Sequence, residues 1–206
     1  MALLGGCKVV LTALVVCSIP GDCANIPTML SGNGLTVVSQ QTIDTRLFTV
    51  RLNSGALAGS TNVRILLPAN YSAQSATRYP VLYLLHGTSG SAADWTTSGN
   101  AETVTAGLPV IIVMPDIGLN GSGGGYCTNW HNGAYQWETY HIEQLLPWID
   151  ANLRTIPVRA KRAIAGLSQG GFCSTSYGAR HPDLFGTVLS FSGAVDIAHD
   201  ADAVAI

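Results

Sequence analysis

The sequence is poor in charged residues. Asp, Glu, Lys and Arg make up 11% of its 206 residues, against about 25% in an average soluble protein. The formal net charge is −2, so the chain has no excess of positive charge with which to bind a nucleic acid. Alanine, glycine, serine and threonine fill the deficit rather than long apolar stretches. A chain of this length and composition predicts one soluble domain with a sizeable core.

Cysteine and histidine are also sparse. There are five of each, and none of their spacings is typical of a zinc site, so no metal is expected. Cys7 and Cys17 belong to the N-terminal segment, which leaves Cys23, Cys127 and Cys173 in the rest of the chain. In an oxidising compartment Cys127 could pair with Cys173, a pairing that depends on a Cα–Cα distance the sequence does not give.

Residues 1–24 resemble a secretory signal peptide. Lys8 precedes an apolar run over residues 9–16, and small or turn-forming residues follow through Ala24. The apolar run is too short for a membrane-spanning helix, which needs about 20 residues. We therefore predict a signal peptide at 1–24, a mature chain at 25–206 without a spanning segment, and a secreted or cell-envelope location. A retained N-terminal anchor is the alternative interpretation.

The first apolar patterns of the mature chain predict an antiparallel hairpin. Phe48, Val50 and Leu52 alternate with polar residues, and the same alternation returns over 63–67 after a turn rich in glycine and alanine. Two such runs are typical of a hairpin at the edge of a sheet. The polar segment that ends near Gln41 shows no such alternation.

The rest of the chain predicts parallel strands covered by helices. Residues 81–85 and 110–114 are apolar on both faces, as in the central strands of a parallel sheet. Residues 137–153 carry an apolar stripe that predicts a helix, kinked at Pro147. Also predicted are a weak helix over 92–106, a strand over 162–165, a helix over 172–180 and a last strand over 187–191. This order indicates an α/β fold with a mostly parallel sheet.

The segment from Gly166 to Gly170 reads G-x-S-x-G, with Ser168 at its centre. Because it lies between a predicted strand and a predicted helix, it is typical of a nucleophile elbow. The two glycines leave room for a strained turn, and the start of the following helix favours a developing negative charge. A chance pattern is the alternative in a chain with 23 glycines. We predict that Ser168 is a catalytic nucleophile.

His86 and Gly87 follow the apolar run at 81–85, where hydrolases with such an elbow have their oxyanion loop. Acyl transfer needs N–H donors there, because the carbonyl oxygen of the substrate gains negative charge. The predicted donors are the backbone N–H groups of Thr88 and of Gln169, the residue after the nucleophile. His86 is a candidate pocket residue, and a plain turn after a strand is the alternative interpretation.

The glycine-rich loop over 118–132 follows a predicted central strand and contains Tyr126 and Trp130. Ligands bind at the carboxyl ends of such strands, so these two aromatic residues are candidates for a pocket wall. A surface loop without a role is an equally weighted alternative. Two further histidines are expected outside the site. His141 is predicted on the surface of the long helix, and His181 at the C-terminal end of the elbow helix.

Six short strings of the chain resemble the esterase D family. They are Leu84-Leu85-His86-Gly87, Val113-Met114-Pro115-Asp116, Trp137-Glu138-Thr139, Leu146-Pro147-Trp148, Gly166-Leu167-Ser168 and Ala179-Arg180-His181-Pro182-Asp183-Leu184-Phe185. The family includes S-formylglutathione hydrolases, feruloyl-type esterases and secreted mycolyltransferases. The resemblance covers about residues 42–196. It implies an α/β-hydrolase fold and a cofactor-free serine esterase or acyltransferase, acting on a small-molecule, lipid or carbohydrate ester.

The sequence differs from the mycolyltransferases at the oxyanion loop, where they have Asp-Gly-Leu-Arg and this chain has His86-Gly87-Thr88-Ser89. The main interpretation is therefore an exported serine esterase that forms an acyl-enzyme on Ser168. One alternative is transfer of the acyl group to a sugar or lipid alcohol. Another is a catalytically inactive relative that serves as a binding protein.

The triad acid and histidine are expected beyond the end of this sequence. In the α/β-hydrolase fold they follow the nucleophile along the chain, usually after strands that come later than 187–191. Asp196 and His199 are the nearby candidates, but they are three residues apart and one short loop suits both roles poorly. We therefore expect an esterase domain over 25–206 that is incomplete, with its final strands missing after Ile206.

Overall fold

The computed structural model of the protein describes residues 25–118 and 125–196, so the predicted signal peptide and His199 lie outside the described residues. The strands within these ranges are β1 (Leu35–Thr42), β2 (Leu47–Ser54), β3 (Thr61–Leu66), β4 (Val81–Leu85), β5 (Ile111–Pro115), β6 (Arg162–Leu167) and β7 (Thr187–Phe191). They form one sheet in the spatial order β1-β2-β3-β5-β4-β6-β7.

The first three strands form the antiparallel half of this sheet. β2 and β3 pair antiparallel, with Phe48 opposite Ile65, which confirms the predicted hairpin. β1 pairs antiparallel with β2 at the edge. The sequence does not predict β1, because Leu35 is its one buried residue and the strand has no buried face to produce an apolar alternation.

The parallel half contains β4, β5, β6 and β7. β4 pairs parallel with both β5 and β6, and β7 pairs parallel with β6. All five residues of β5 are buried, as predicted for a central strand. β3 pairs antiparallel with β5 and joins the two halves. The carboxyl ends of β4, β5 and β6 therefore lie at one edge of the sheet, where the loops that follow them meet.

The α-helices are α1 (Asp94–Thr97), α2 (Ala101–Val104), α3 (Leu146–Asn152) and α4 (Gln169–Arg180). The weak helix predicted over 92–106 forms as α1 and α2, because Asn100 between them has a left-handed backbone with φ 51°. A left-handed residue cannot continue a right-handed helix. α4 begins directly after Ser168, three residues earlier than predicted.

The long helix predicted over 137–153 has two parts. Residues Thr139–Leu145 form a π-helix, which continues into α3. Pro147 lies in the first turn of α3, where a proline has no N–H to donate to the preceding helical turn. The change of helix type falls directly before Leu146, one residue before Pro147.

Side chains pack on both faces of the sheet. Tyr83 on one face belongs to the larger core, with Trp148 of α3 and Tyr177 of α4. Leu84 and Met114 on the other face belong to a smaller core that α2 covers. Across the described ranges, none of the helices has the length and hydropathy to cross a membrane.

Candidate active site

Ser168 lies at the sharp turn between β6 and α4. Its backbone has φ 54° and ψ −117°, a region that a residue with a side chain rarely occupies and that costs conformational energy. The turn is held on both sides, since the Ser168 N–H donates to the Phe191 carbonyl at 2.8 Å and the Ser168 carbonyl accepts from the Phe172 N–H at 3.0 Å. The Ser168 side chain is exposed, so its hydroxyl is open to a substrate.

The two flanking glycines are required by close backbone contacts. A Cβ at Gly166 would overlap the Gly170 backbone, and a Cβ at Gly170 would overlap the carbonyl oxygens of Leu85 and His86. The second contact joins the elbow to the end of β4. The G-x-S-x-G pattern is therefore a steric requirement of this turn as well as a motif.

The predicted oxyanion loop meets the elbow. A Cβ built on Gly87 would lie 3.6 Å from the Cβ of Ser168. The Thr88 hydroxyl donates a hydrogen bond to Oε1 of Gln169 at 3.2 Å. Gln169 is buried, and its Nε2 has no hydrogen-bond partner among the described residues. The structure thus brings Thr88, Gln169 and Ser168 together at the carboxyl ends of β4 and β6.

The His86 side chain is buried, and both its ring nitrogens are bonded. The Ile117 N–H donates to Nε2 at 3.0 Å, so Nε2 carries no proton. The ring proton is therefore on Nδ1, which donates to the Gly87 carbonyl oxygen at 2.7 Å. His86 joins the loop after β4 to the loop after β5, and it is a neutral residue in this arrangement.

Tyr126 packs against the elbow helix, while Trp130 packs against Tyr135 and the larger core. The Tyr126 ring packs edge-on against Phe172 of α4, with 6.3 Å between ring centroids, and its side chain is 47% exposed. Trp130 packs against Tyr135 at 4.7 Å and donates to the Gly125 carbonyl. Of the two predicted wall residues, Tyr126 is the one placed beside the helix that follows Ser168.

A disulfide ties the same loop to α4. Cys127 and Cys173 are bonded, with a Cα–Cα distance of 5.4 Å, and both residues are buried. Tyr126 and Cys127 each have positive φ angles, 43° and 52°. The disulfide therefore holds the loop against α4, five residues after Ser168. The Cys127–Cys173 pairing that the sequence allows is present.

Asp116 and His141 form a buried polar connection that the motifs do not predict. The Asp116 carboxylate accepts from the backbone and side-chain N–H groups of Asn62, at 2.9 and 3.1 Å, and from the Ala92 N–H at 2.6 Å. The Asp116 carbonyl accepts from Nε2 of His141 at 3.0 Å, and Nδ1 of His141 lies 2.9 Å from the Tyr177 hydroxyl. Since a carbonyl only accepts, the proton of His141 is on Nε2.

The prediction that His141 lies on the helix surface is wrong. His141 is 3% exposed, and burial lowers its pKa from 6.5 to about 4. Hydrogen bonds with the Asp116 carbonyl and the Tyr177 hydroxyl allow this polar side chain to be buried, within the π-helix over residues 139–145. In this segment Tyr140, His141 and Ile142 are buried in succession.

His181 is the residue that ends α4, as predicted. Its Nε2 lies 2.7 Å from Oε1 of Glu138, and Nε of Arg180 lies 3.0 Å from the same oxygen. Arg180 also donates to the Cys127 carbonyl at 3.0 Å. The end of α4 is thereby fixed to the start of the long helix and to the disulfide loop.

A general base for Ser168 is not identified among residues 25–118 and 125–196, because none of the hydrogen bonds found there joins the Ser168 hydroxyl to a histidine. Of the four histidines in these ranges, His86, His141 and His181 are hydrogen-bonded elsewhere, and His131 is exposed in the loop before the long helix. Asp196 is exposed, five residues after the end of β7.

The chain was compared with known proteins, and it matches one family. The family model for Esterase matches residues 54–201. Esterase Rv1288 of Mycobacterium tuberculosis is 40% identical over 173 residues, which are 82% of this chain and 37% of that protein. The chain thus spans little more than a third of the length of this curated relative.

Solved structures agree with the fold. A ferulic acid esterase matches with a TM-score of 0.64 and 32% identity, over 72% of this chain and 57% of that one. An S-formylglutathione hydrolase from Agrobacterium tumefaciens matches with a TM-score of 0.68 and 20% identity, over 82% and 66%. The latter likeness shows the fold alone, which is that of the α/β-hydrolases. The resemblance inferred from the six sequence strings is confirmed.

Proposed function

Because the chain belongs to the Esterase family, we propose that it is a serine hydrolase that cleaves a carboxylic ester through an acyl-enzyme on Ser168. The observation that carries the proposal is the placement of Ser168, exposed and conformationally strained, beside the loop that contains Gly87 and Thr88. The contact of the Thr88 hydroxyl with Gln169 supports a proposed oxyanion hole beside the Ser168 hydroxyl, made by the backbone N–H groups of Thr88 and Gln169.

The first half of the reaction forms the acyl-enzyme. The Ser168 oxygen attacks the ester carbonyl carbon while a general base takes its proton. The carbonyl oxygen becomes negatively charged, and the backbone N–H groups of Thr88 and Gln169 donate hydrogen bonds to it. The helix dipole of α4, which begins at Gln169, favours the same charge. The intermediate then expels the alcohol, which takes the proton from the base.

The second half releases the acid. Water attacks the acyl carbon, the same N–H groups stabilise the second oxyanion, and Ser168 leaves with a proton. An alcohol in place of water would give transfer instead of hydrolysis, so the fate of the acyl group decides between esterase and acyltransferase. Tyr126, which packs against Phe172 of α4 four residues after Ser168, is the proposed contact for the acyl or alcohol group.

The proposal includes export, which would put the chain in an oxidising compartment. The buried Cys127–Cys173 pair supports this, since structural disulfides persist mainly outside the cytosol. The measurement is the N-terminal sequence of the protein recovered from the culture medium or cell envelope. A protein that stays cytosolic with both cysteines reduced would contradict export without affecting the catalytic proposal.

The catalytic proposal is tested on the natural full-length protein with a fluorophosphonate probe and a chromogenic ester. Wild-type protein should be labelled at Ser168 and should hydrolyse the ester. Ser168→Ala should lose both, while Ser176→Ala, a change about two turns further along α4, should keep both. Retained turnover in a folded Ser168→Ala protein would overturn the proposal. Adding glycerol or a sugar and measuring acylated alcohol separates transfer from hydrolysis.

A further inference from the structure

His86 sits next to the loop that contains the proposed oxyanion donor Thr88, yet it does not present a free nitrogen to the site. Its Nδ1–H donates to the Gly87 carbonyl at 2.7 Å, and its Nε2 accepts from the Ile117 N–H at 3.0 Å. The Gly90 N–H donates to the same Gly87 carbonyl at 3.1 Å. The Gly87 oxygen is therefore held by two donors.

The Gly87 carbonyl and the Thr88 N–H belong to one peptide unit. In a trans peptide the C=O and N–H bonds point in opposite directions within one plane. Holding the Gly87 oxygen on the side of His86 therefore fixes the direction of the Thr88 N–H. The two donors also polarise the peptide, which strengthens its N–H as a donor.

This peptide would rotate readily without such restraint, because glycine has few backbone restrictions. A rotated peptide would point the Gly87 oxygen, instead of the Thr88 N–H, at the developing oxyanion. The partial negative charge of this carbonyl oxygen would then repel the oxyanion. The space around Gly90 shows how closely the histidine is fitted, since a Cβ at Gly90 would lie 2.9 Å from Nδ1 of His86.

We propose that His86 is a positioning residue of the oxyanion hole, a role that rests on the proposed function. Its Nδ1–H orients the Gly87–Thr88 peptide so that the Thr88 N–H faces the oxyanion. The Ile117 N–H sets the tautomer, because it needs an unprotonated Nε2 and so keeps the ring proton on Nδ1. The loop after β5 thereby controls the donor supplied by the loop after β4.

Two substitutions distinguish the roles of the two ring nitrogens of His86, because each removes one hydrogen bond and keeps the other. His86→Asn keeps an N–H close to the position of Nδ1 and loses the acceptor for Ile117. His86→Gln keeps an acceptor close to the position of Nε2 and loses the donor to Gly87. Both are polar and of similar size, so each is the control for the other, and thermal melting checks that both fold.

The measurement is kcat and KM for a soluble ester, with the inhibition constant of an aryl boronic acid, whose adduct with Ser168 imitates the tetrahedral intermediate. His86→Gln should lower kcat by about 10²-fold, the scale of a lost oxyanion donor, with little change in KM. It should weaken boronate binding in parallel. His86→Asn should retain most of both values.

The outcomes are distinct. Folded His86→Gln protein with wild-type kcat and boronate affinity would overturn the positioning role while leaving the esterase proposal intact. Equal losses in the Gln and Asn variants, or a loss confined to KM, would overturn it as well, since packing alone would then explain them. Turnover that survives Ser168→Ala would overturn the esterase proposal, and the positioning role with it.

Discussion

Thr88 and Gln169 are joined through their side chains, at 3.2 Å between the Thr88 hydroxyl and Oε1 of Gln169. They are also the residues whose backbone N–H groups are proposed to bind the oxyanion. They come from loops 81 residues apart in the sequence. The side-chain bond therefore fixes the distance between the two proposed donors.

Thr88→Val should remove this bond and leave the buried amide of Gln169 without a partner at either end, since its Nε2 is already unpaired within the described part of the chain. An unmet buried polar group costs about 1–3 kcal/mol. We expect a loss of this size in the free energy of unfolding, measured in urea, and a lower kcat. Thr88→Ser keeps the hydroxyl and should restore both. Equal stability of the Val and Ser variants would contradict the role of the bond.

Gly87 and Gly170 provide a second test, because a methyl group has room at one and not at the other. A Cβ at Gly170 would overlap the carbonyl oxygens of Leu85 and His86, whereas a Cβ at Gly87 would be at ordinary contact distance, 3.6 Å, from its nearest neighbours. Gly170→Ala should destabilise the fold by about 3 kcal/mol, as backbone must move. Gly87→Ala should change stability by less than about 1 kcal/mol, and should lower kcat/KM for bulky esters. Denaturant melts and a series of esters measure the two effects.

The sequence predicts the centre of the fold well because burial on both faces leaves a strong pattern. The runs at 81–85 and 110–114 become central strands β4 and β5, and the elbow around Ser168 follows from its two glycines. The edge strand β1 is missed for the opposite reason. It buries one residue, Leu35, so its pattern is that of a loop.

The supporting parts of the candidate site could not be predicted in the same way. The burial of His141 depends on hydrogen bonds to Tyr177 and Asp116, 36 and 25 residues away, which the local sequence does not show. The roles of Asp116 and His86 depend on hydrogen bonds to Asn62, Ala92 and Ile117. These partners are up to 54 residues away, and only the assembled sheet brings them together.

The Cys127–Cys173 disulfide should contribute strongly to stability. It joins residues 46 apart, and closing a loop of this length in the unfolded chain corresponds to about 4 kcal/mol in the chain-entropy account. The Cys127→Ser/Cys173→Ser double variant should lose stability on this scale. Reduced wild-type protein should melt at the same temperature as that variant. A melting temperature that is unchanged by both treatments would contradict the prediction.

His141 should make the protein sensitive to mild acid. Burial lowers its folded-state pKa to about 4, while the value in the unfolded chain is 6.5. Between these values the unfolded state binds a proton at this site and the folded state does not, so the free energy of unfolding falls as the pH falls. The stabilising contribution is fully present above about pH 6.5 and is lost progressively towards pH 4. A shift of this size corresponds to about 3 kcal/mol.

The test is the free energy of unfolding of wild type and His141→Gln, measured in urea from pH 7.5 to pH 4. Glutamine keeps an N–H that can donate to the Asp116 carbonyl, and it does not titrate. We expect the variant to be less stable at pH 7.5, because it fits the ring-lined site poorly, and its stability to fall less steeply below pH 6.5. The difference between the two curves isolates His141 from the carboxylates, which titrate in both proteins. Parallel curves across this range would show that His141 does not take part in the acid response, since the same proton would then bind equally in both states.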